Sequence, residues 1–385
     1  MIVFLLMAIL LFAQSVMAQP SISSTSGGWS HGASVTISGS GFGTKATAPP
    51  LLYDDFESGT NGSNIKPNNP VVGTAWDDFV GGGTQVPRYS NTISRGVSVL
   101  SSLHDFETDG TYNSSLEYFN STATTVYFTF WWRHEKTSVN WRRQNKPWIQ
   151  YGSNGTYPEM YTGFGSPSDT DGGIRNSIQD DPAPGNATLY GSTNISDIDG
   201  TWVRLEVYLV QSDVDVANGT FCYWTYRSYL GTPSFVEEAC STTQKMRTQD
   251  RTWNQWHFGS YFTNDDPAGA KGRVYVDDIY FDNTRARVEI CNASTWAART
   301  HCEIQRPTAW SDTEVTIVTN QGDLGALAGD YLYVCDSDNS CNSNGFALSA
   351  SEEGGSRSVI TSPRSGVSRS VITAPRSGAT RSPIQ

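Results

Sequence analysis

The stretch VYVDDIYFDN, residues 274–283, reads as a β-strand with two adjacent carboxylates at its centre. Side chains alternate between the two faces of a strand, so Asp277 and Asp278 lie on opposite faces. One of them is therefore buried whichever face meets the core, and burying an unpaired carboxylate costs several kcal/mol. We expect a positive charge beside the buried aspartate: either a metal ion or an arginine such as Arg273 or Arg285.

Strand-like segments of this kind recur along the chain, and no convincing amphipathic helix accompanies them. Of the 385 residues 37% are hydrophobic and only 17% are charged, which together with the Gly-, Ser- and Thr-rich stretches indicates an all-β protein. Long strands separated by Gly- and Asn-rich loops predict a two-sheet jelly roll. The main strand candidates span 125–135, 146–153, 201–211, 219–228 and 253–262.

The first 18 residues, MIVFLLMAILLFAQSVMA, form an apolar run that ends in small residues. This run predicts a secretory signal peptide over residues 1–18, although no basic residue precedes it. A membrane anchor is the alternative, but the run is short for a span. We therefore expect a secreted or extracellular-surface protein that is not inserted in a membrane after signal removal.

Six cysteines fit an oxidising compartment, and their order along the chain favours three local disulfides. The predicted pairs are Cys222–Cys240, Cys291–Cys302 and Cys335–Cys341. Asn-x-Ser/Thr sequons predict surface glycosylation if the host glycosylates. They occur at Asn61, Asn113, Asn120, Asn154, Asn186, Asn194, Asn218 and Asn292.

The formal net charge of −12 argues against nucleic acid and against anionic membranes as partners. The C-terminal segment has the opposite character, because SRSVITSPRSGV is followed by SRSVITAPRSGA from Ser356 onward. Residues 351–385 are therefore predicted to be a disordered basic extension. It either tethers the protein to an acidic polymer or is a passive tail.

The segment ASVTISGSGFG, residues 33–43, resembles the start of an IPT/TIG domain, a small immunoglobulin-like sandwich of extracellular proteins. The segments ARVEIC and EVTIVT, which follow Thr284, resemble the second half of the same family. The resemblance implies one discontinuous sandwich, 20–48 plus 285–350, interrupted by an inserted domain at 50–284. The alternative is two unrelated fragments that flank a core.

The order of strands in the insert resembles concanavalin-A-like lectin/glucanase jelly rolls and related carbohydrate-binding modules. In several such modules a Phe-Glu near the start and an Asp-Asp near the end meet around a structural calcium ion. The matching residues here are Glu57, Asp277 and Asp278, with Asp54 or Asp55 as further ligands. The resemblance thus implies a structural calcium that would neutralise the buried aspartates.

Two motifs of carbohydrate-active enzymes are missing from the sequence. The Glu-x-Asp-x-x-Glu strand of laminarinase-type glucanases is absent, and so is the alginate-lyase signature that pairs Arg-x-Glu-x-Arg with Gln-x-His. A lyase needs a cation or amide for the uronate carboxyl group and a His or Tyr that removes the neighbouring proton. In the cationic segment FWWRHEKTSVNWRRQNKPWIQY, residues 130–151, Arg133, His134 and Tyr151 are the candidates.

Aromatic rings stack on the faces of sugars, and polar neighbours take the hydroxyl groups. The candidate ligand contacts are Trp131, Arg133, Trp141, Trp148, Tyr151, Trp253 and His257. The leading hypothesis is non-catalytic, calcium-stabilised recognition of an extracellular polysaccharide. The alternatives are a polysaccharide lyase that acts on a uronate-containing glycan, and a self-associating subunit of a surface layer or filament.

Overall fold

The computed structural model is nearly all β, as predicted; the only α-helix among its described residues is the four-residue α1 (Ile195–Ile198). Most of the predicted signal peptide, Trp141 and the basic tail lie outside the described residues. The described residues are 18–80, 86–107, 113–120, 123–140, 145–153, 157–165, 173–179, 187–227, 233–261 and 269–349.

Two antiparallel sheets pack face to face and form the larger sandwich. The first, here called the front sheet, has seven strands. In spatial order they are β12 (Ala187–Asn194), β11 (Gly173–Gln179), β10 (Glu159–Phe164), β9 (Asn145–Gly152), β16 (Trp253–Tyr261), β7 (Asn113–Phe119) and β4 (Asp78–Val80).

The second layer, here called the back sheet, has eight strands, and β3 (Leu52–Asp54) pairs with one of them, β17 (Gly272–Asp282). The predicted strand candidates correspond to strands of these two sheets. In spatial order the back sheet is β15 (Ser234–Gln244), β14 (Gly219–Arg227), β13 (Trp202–Val210), β8 (Thr125–Lys136), β17, β6 (Ser101–Phe106) and β5 (Arg88–Ser90), with β3 completing the count.

Aromatic side chains fill the space between the front and back sheets. The ring centroid of Phe128 lies 5.0 Å from that of Trp148 and 5.6 Å from that of Phe258. Trp256 and Phe281 contact each other edge to face at 5.0 Å. Each buried aromatic ring removes roughly 150–250 Å² from water, so this cluster contributes most of the apolar burial at the centre of the sandwich.

A third sheet joins the two ends of the described chain. In spatial order its strands are β1 (Ser21–Ser26), β2 (Ser34–Ser40), β20 (Glu314–Val318), β19 (Cys302–Trp310), β18 (Arg287–Cys291), β21 (Tyr331–Cys335) and β22 (Phe346–Ala347). The first half of β19 pairs with β18 and its second half pairs with β20, so this strand connects two layers. These layers enclose a separate apolar core that includes Val35, Ile37, Ile290, Val315 and Val334. The domain boundaries and the IPT/TIG resemblance remain predictions.

The third sheet covers the outer face of the back sheet. Tyr53, Tyr127 and Tyr280 on the back-sheet side pack against Ile304 of β19. No further sheet of the described residues packs on the outer face of the front sheet, whose central residues Ile149, Tyr161 and His257 are 2%, 4% and 4% exposed. Two of its aromatic residues, Phe119 and Tyr190, are 43% and 63% exposed.

All six cysteines form the three predicted local disulfides. Cys222 lies directly opposite Cys240 in the β14–β15 pair, and Cys291 lies opposite Cys302 in the β18–β19 pair. Each of these bonds thus links neighbouring strands that are already hydrogen-bonded to each other.

A fully buried histidine on β6 belongs to the interior of the larger sandwich. The Ser102 hydroxyl lies 2.8 Å from Nε2 of His104, and the Ser114 carbonyl oxygen lies 2.9 Å from Nδ1. The carbonyl can only accept, so Nδ1 carries the proton and Nε2 accepts from the hydroxyl. Burial lowers the pKa of His104 to about 3, although the bond to the Ser114 carbonyl opposes this shift.

This histidine predicts a loss of stability in mild acid. The unfolded chain binds a proton at His104 below about pH 6.5, whereas the folded chain keeps this side chain neutral down to about pH 3. The free energy of unfolding should therefore fall by about 1.4 kcal/mol for each pH unit within that window. In urea titrations His104→Gln should show a correspondingly shallower pH dependence than the unchanged protein. Parallel pH dependences would contradict the prediction.

Candidate functional site

The carboxylate of Asp278 is neutralised by an arginine from a distant loop. Arg95 Nη2 donates to Asp278 Oδ2, and Tyr53 Oη donates to Oδ1 over 3.0 Å. Arg95 also bonds both carboxylate oxygens of Glu303 on β19, at 2.5 and 3.0 Å. Despite burial, the Arg95 charge holds the pKa of Glu303 below its usual range. The arginine predicted beside the aspartates is therefore Arg95, not Arg273 or Arg285.

The other two predicted calcium ligands have different surroundings. Glu57 Oε1 accepts the backbone N–H groups of Val99 and Leu100, both at 2.8 Å. Asp277 Oδ1 accepts the N–H of Asp278 at 2.9 Å, whereas its Oδ2 has no partner among the described residues. Burial, reinforced by the Asp278 charge, raises the pKa of Asp277 well above its usual value.

Glu57, Asp277 and Asp278 do not converge on a common point. Among the described residues, three metal-type ligand atoms come within 4.8 Å of one another only at Glu289, Cys291 and Cys302, and these two cysteines form a disulfide. The arrangement does not fit the predicted calcium set, and no role of calcium is derived from it.

We expect chelation of calcium to leave the thermal stability unchanged. Arg95 already supplies the positive charge that the ion was predicted to supply. Calorimetry with EDTA and with added calcium should give the same Tm within about 1 °C, since stabilisation by an ion requires binding to the folded state. A rise of several degrees with calcium would restore the calcium hypothesis.

Three of the predicted sugar-binding tryptophans are unavailable to a ligand. Trp148 and Trp253 lie in the core of the larger sandwich and are 1% and 0% exposed. Trp131 faces the third sheet, where its indole N–H donates to Glu303 over 3.2 Å and its ring lies 5.3 Å from that of His301. The aromatic pattern could not show which face of each strand would be covered, so these assignments were wrong.

Two of the three predicted lyase residues lie far from the third. Arg133 and His134 are on β8 of the back sheet, and Tyr151 is on β9 of the front sheet. Arg133 pairs with Glu135 at 2.5 Å, and His134 Nδ1 lies 2.7 Å from Asp199 Oδ1. The proposed grouping of Arg133, His134 and Tyr151 is therefore wrong, although Tyr151 and His257 do come together.

The sequons that can be placed lie at or near the surface. Asn61, Asn218 and Asn292 are exposed, and Asn113, Asn120 and Asn194 are partly exposed. Asn154 and Asn186 lie outside the described residues. Glycosylation at these positions remains a prediction.

Tyr151 and His257 meet on the outer face of the front sheet. His257 lies opposite Ile149 in the β16–β9 pair, and Tyr151 lies opposite Gln255 in the same pair. The rings of Tyr151 and His257 contact each other edge to face, with centroids 5.1 Å apart. Burial lowers the pKa of His257 to about 4, so its imidazole is neutral at neutral pH.

Glu117 and Ser115, which sequence analysis missed, orient the imidazole of His257. Glu117 on β7 lies opposite His257, with its Oε1 3.7 Å from Nδ1, and the Ser115 hydroxyl lies 3.2 Å from the same nitrogen. Gln255 Nε2 donates to Glu117 Oε2 over 2.8 Å. A proton on Nδ1 satisfies these neighbours and leaves a lone pair on Nε2, which has no partner among the described residues.

The signal for Gln255 was present in the sequence. Gln255-Trp256-His257 is a Gln-x-His pair, and alternation along a strand places its two polar ends on one face. Only the other half of the alginate-lyase signature, Arg-x-Glu-x-Arg, is missing. No comparable local signal identifies Glu117, because β7 reaches β16 through tertiary pairing.

Basic and aromatic side chains continue this face toward β12. Lys146 Nζ lies 4.0 Å from the centroid of the Tyr161 ring and 3.4 Å from Glu159 Oε1. Arg175 lies opposite Tyr190 in the β11–β12 pair. Burial lowers the pKa of Lys146, and the nearby Arg175 charge lowers it further against the effect of Glu159. The face thus combines a neutral imidazole, a phenol, an amide and cations.

The chain matches no family model, and no curated protein matches it in sequence. The similar solved structures are chiefly polysaccharide lyases. The chain is 9% identical to the endo-β-1,4-glucuronan lyase of the fungus Trichoderma reesei, over 60% of this chain and 95% of that one, with a TM-score of 0.42. It is 11% identical to the PL-14 alginate lyase of Aplysia kurodai over 61% and 99%, also with a TM-score of 0.42.

A third similar structure is a double mutant of the alginate lyase Aly36B in complex with alginate trisaccharide. It is 13% identical over 62% of this chain and all of that one, with a TM-score of 0.46. Likenesses this distant carry no functional argument. No helix in the described residues has the length and apolar character of a membrane span.

Proposed function

We propose that the protein is a polysaccharide lyase that cleaves a uronate-containing glycan on the outer face of the front sheet. The observation that carries the proposal is the contact between His257 and Tyr151, because it places a neutral imidazole beside a phenol. The Nε2 atom of His257 is buried and has no hydrogen-bond partner among the described residues, which costs free energy, and a catalytic role accounts for the retention of such a group.

In the proposed step, His257 Nε2 accepts the proton from C5, the carbon next to the uronate carboxyl group. The bond between C4 and the leaving oxygen breaks, the electron pair stays on that oxygen, and the oxygen takes the phenolic proton of Tyr151. A double bond forms between C4 and C5. Solvent then returns the proton from the imidazolium to the tyrosinate, so the step needs no cofactor.

Neighbouring residues stabilise the charges that this step creates. Glu117 Oε1, 3.7 Å from Nδ1, favours the imidazolium that forms at His257. Negative charge also develops on the uronate carboxyl group, and it requires hydrogen-bond donors or cations near it. The Gln255 amide and the Lys146 ammonium group are such donors on the same sheet face.

The proposal is tested by mixing the purified protein with a panel of neutral and uronate-containing polysaccharides. Elimination creates an unsaturated uronate, so the ultraviolet absorbance should rise with at least one acidic polymer and with no neutral one. Mass spectrometry should show products without added water. Products that contain added water would identify a hydrolase, and a flat trace across the acidic panel would reject the lyase function.

Non-catalytic recognition of a polysaccharide is the second candidate function. It is favoured by Phe119 and Tyr190, whose exposed rings on the front sheet offer stacking surfaces for sugars. In that case glycan binding would be measurable by calorimetry, but no product would form. The filament alternative and self-association remain predictions.

We also propose that the protein acts outside the cell. The apolar segment 1–18 and the three disulfides support export. The shared sheet and separate core of the terminal segments support the IPT/TIG-like sandwich, 20–48 plus 285–350. Mass spectrometry of the secreted chain would test cleavage after Ala18.

A further inference from the structure

We propose that the front sheet binds two unlike kinds of sugar on the two sides of the scissile bond: uronates toward β12 and uncharged sugars toward β4. The substrate would then be a copolymer of uronate and neutral residues rather than a polyuronate. This inference rests on the proposed lyase function. The expected selectivity for a copolymer over a polyuronate can also be tested by binding measurements without turnover.

The side of the sheet toward β12, here called the cationic arm, carries Lys146, Tyr161, Arg175 and Tyr190. In the described part of β9 to β12, these two cations share the outer face with one carboxylate, Glu159. Arg175 lies opposite Gly163 of β10, two residues along that strand from Tyr161, and Lys146 Nζ lies 4.0 Å from the centre of the Tyr161 ring. Like charges in proximity favour an anionic ligand between them, and the carboxyl group of a uronate is such a ligand.

The side toward β4, here called the acidic arm, carries Asp77, Asp78 and Glu117. Asp78 lies opposite Glu117 in the β4–β7 pair, and Asp77 Oδ2 accepts the backbone N–H of Phe119 at 2.6 Å. Burial raises the pKa of Glu117, and the charges of Asp78 and Asp77 raise it further. Lys66 compensates in part, with its Nζ 2.8 Å from Asp78 Oδ1.

His257 lies between the two arms and fixes where the bond is broken. It is only 4% exposed, and its Nε2 lacks a partner in the described part of the chain. Its strand β16 has β9 on one side and β7 on the other. Ile149 of β9 lies opposite His257, Tyr161 of β10 lies opposite Ile149, and Lys146 Nζ contacts the Tyr161 ring. Neighbouring strands are about 4.8 Å apart, so a glycan that crosses the strands passes Glu117 on one side and, on the other side, reaches Tyr161 and Lys146 one strand beyond Ile149.

The acidic arm suits a neutral sugar for a chemical reason. Carboxylates accept hydrogen bonds from hydroxyl groups and repel other carboxylates. The exposed ring of Phe119 beside them adds a surface for stacking on an uncharged sugar face. A polyuronate would place a carboxyl group against Asp78 and Glu117, whereas a copolymer would avoid this repulsion.

The test compares a polyuronate with an alternating uronate–neutral copolymer, using initial rates and the double variant Asp77→Asn/Asp78→Asn. We expect kcat/KM of the unchanged protein to be about tenfold higher for the copolymer than for the polyuronate. In the double variant, kcat/KM for the polyuronate should rise about fivefold. Asp250→Asn, at a carboxylate 91% exposed elsewhere on the surface, is the matched control and should change neither rate. A preference for the polyuronate that the double variant leaves unchanged would overturn the inference.

A second measurement separates this inference from the proposed function. Calorimetric titrations of His257→Gln and of its combination with the double variant, using oligosaccharides of both kinds, report charge selectivity without turnover. Tighter binding of the copolymer that disappears with the double variant supports the inference even if no polymer is cleaved. If His257→Gln and its combination with the double variant each bind the two kinds of oligosaccharide with equal affinity, the inference is rejected even if the protein is a lyase.

Discussion

Replacing Arg95 by alanine should lower the free energy of unfolding by about 3–5 kcal/mol, because two buried carboxylates would lose their counter-charge. The Arg95 side chain is fully buried between Asp278 and Glu303, whose side chains are 3% and 0% exposed. Its guanidinium carbon also lies 4.3 Å from the centre of the Trp131 ring. Urea unfolding followed by fluorescence would measure the loss.

The matched control is Arg88→Ala, which removes an arginine of the back sheet that is closer to solvent. Arg88 Nη2 lies 3.6 Å from Asp105 Oδ2, and its side chain is 28% exposed. Its removal should cost less than about 1 kcal/mol. The triple variant Arg95→Met/Asp278→Asn/Glu303→Gln should recover much of the loss, since it removes the buried charges together. Equal costs for Arg95→Ala and Arg88→Ala would contradict this account.

The second large effect concerns catalysis. His257→Gln should lower kcat by about 10²–10⁴-fold, because the amide cannot act as the base. Tyr151→Phe should lower kcat similarly through the loss of the acid. Arg133→Gln is the control: it lies on the back sheet and should leave turnover unchanged within about twofold. Circular dichroism of all variants should stay unchanged, and an active His257→Gln would reject the proposed base.

The pH profile provides a further check on His257. Burial lowers its pKa to about 4, so the base stays neutral over most of the acidic range. Titration of His257 should therefore leave kcat/KM level between about pH 7 and about pH 5. Below that range kcat/KM should decline as the pH approaches the pKa of His257. An acid limb centred near 6.5, the usual histidine value, would show that another histidine or a solvated His257 is the base.

The sequence predicted local features of the fold well, because these depend on neighbouring residues. Alternating residues indicated β8, β13, β14 and β16, and the order of the cysteines gave the correct disulfides. Strand alternation also showed that Asp277 or Asp278 must be buried. These predictions need only the geometry of one strand or of one hairpin.

The site was only partly predictable, because its residues meet through long-range pairing. Arg95 is 183 residues from Asp278 and 208 residues from Glu303, and no local pattern connects them. Trp131 and Tyr151 both lie in the same aromatic segment, but the third sheet covers only the first of them. Which face of a strand is covered depends on the docking of a whole sheet, and that information is not in the strand itself.

The polar contact between the back sheet and the third sheet limits how the chain can be shortened. A fragment of residues 50–284 would keep the whole front sheet but would separate Arg204 from Glu289 and Arg95 from Glu303. It would also expose Tyr127 and Tyr280 to water. Such a fragment should aggregate when expressed alone, so the larger sandwich depends on its flanking segments to remain dispersed in solution.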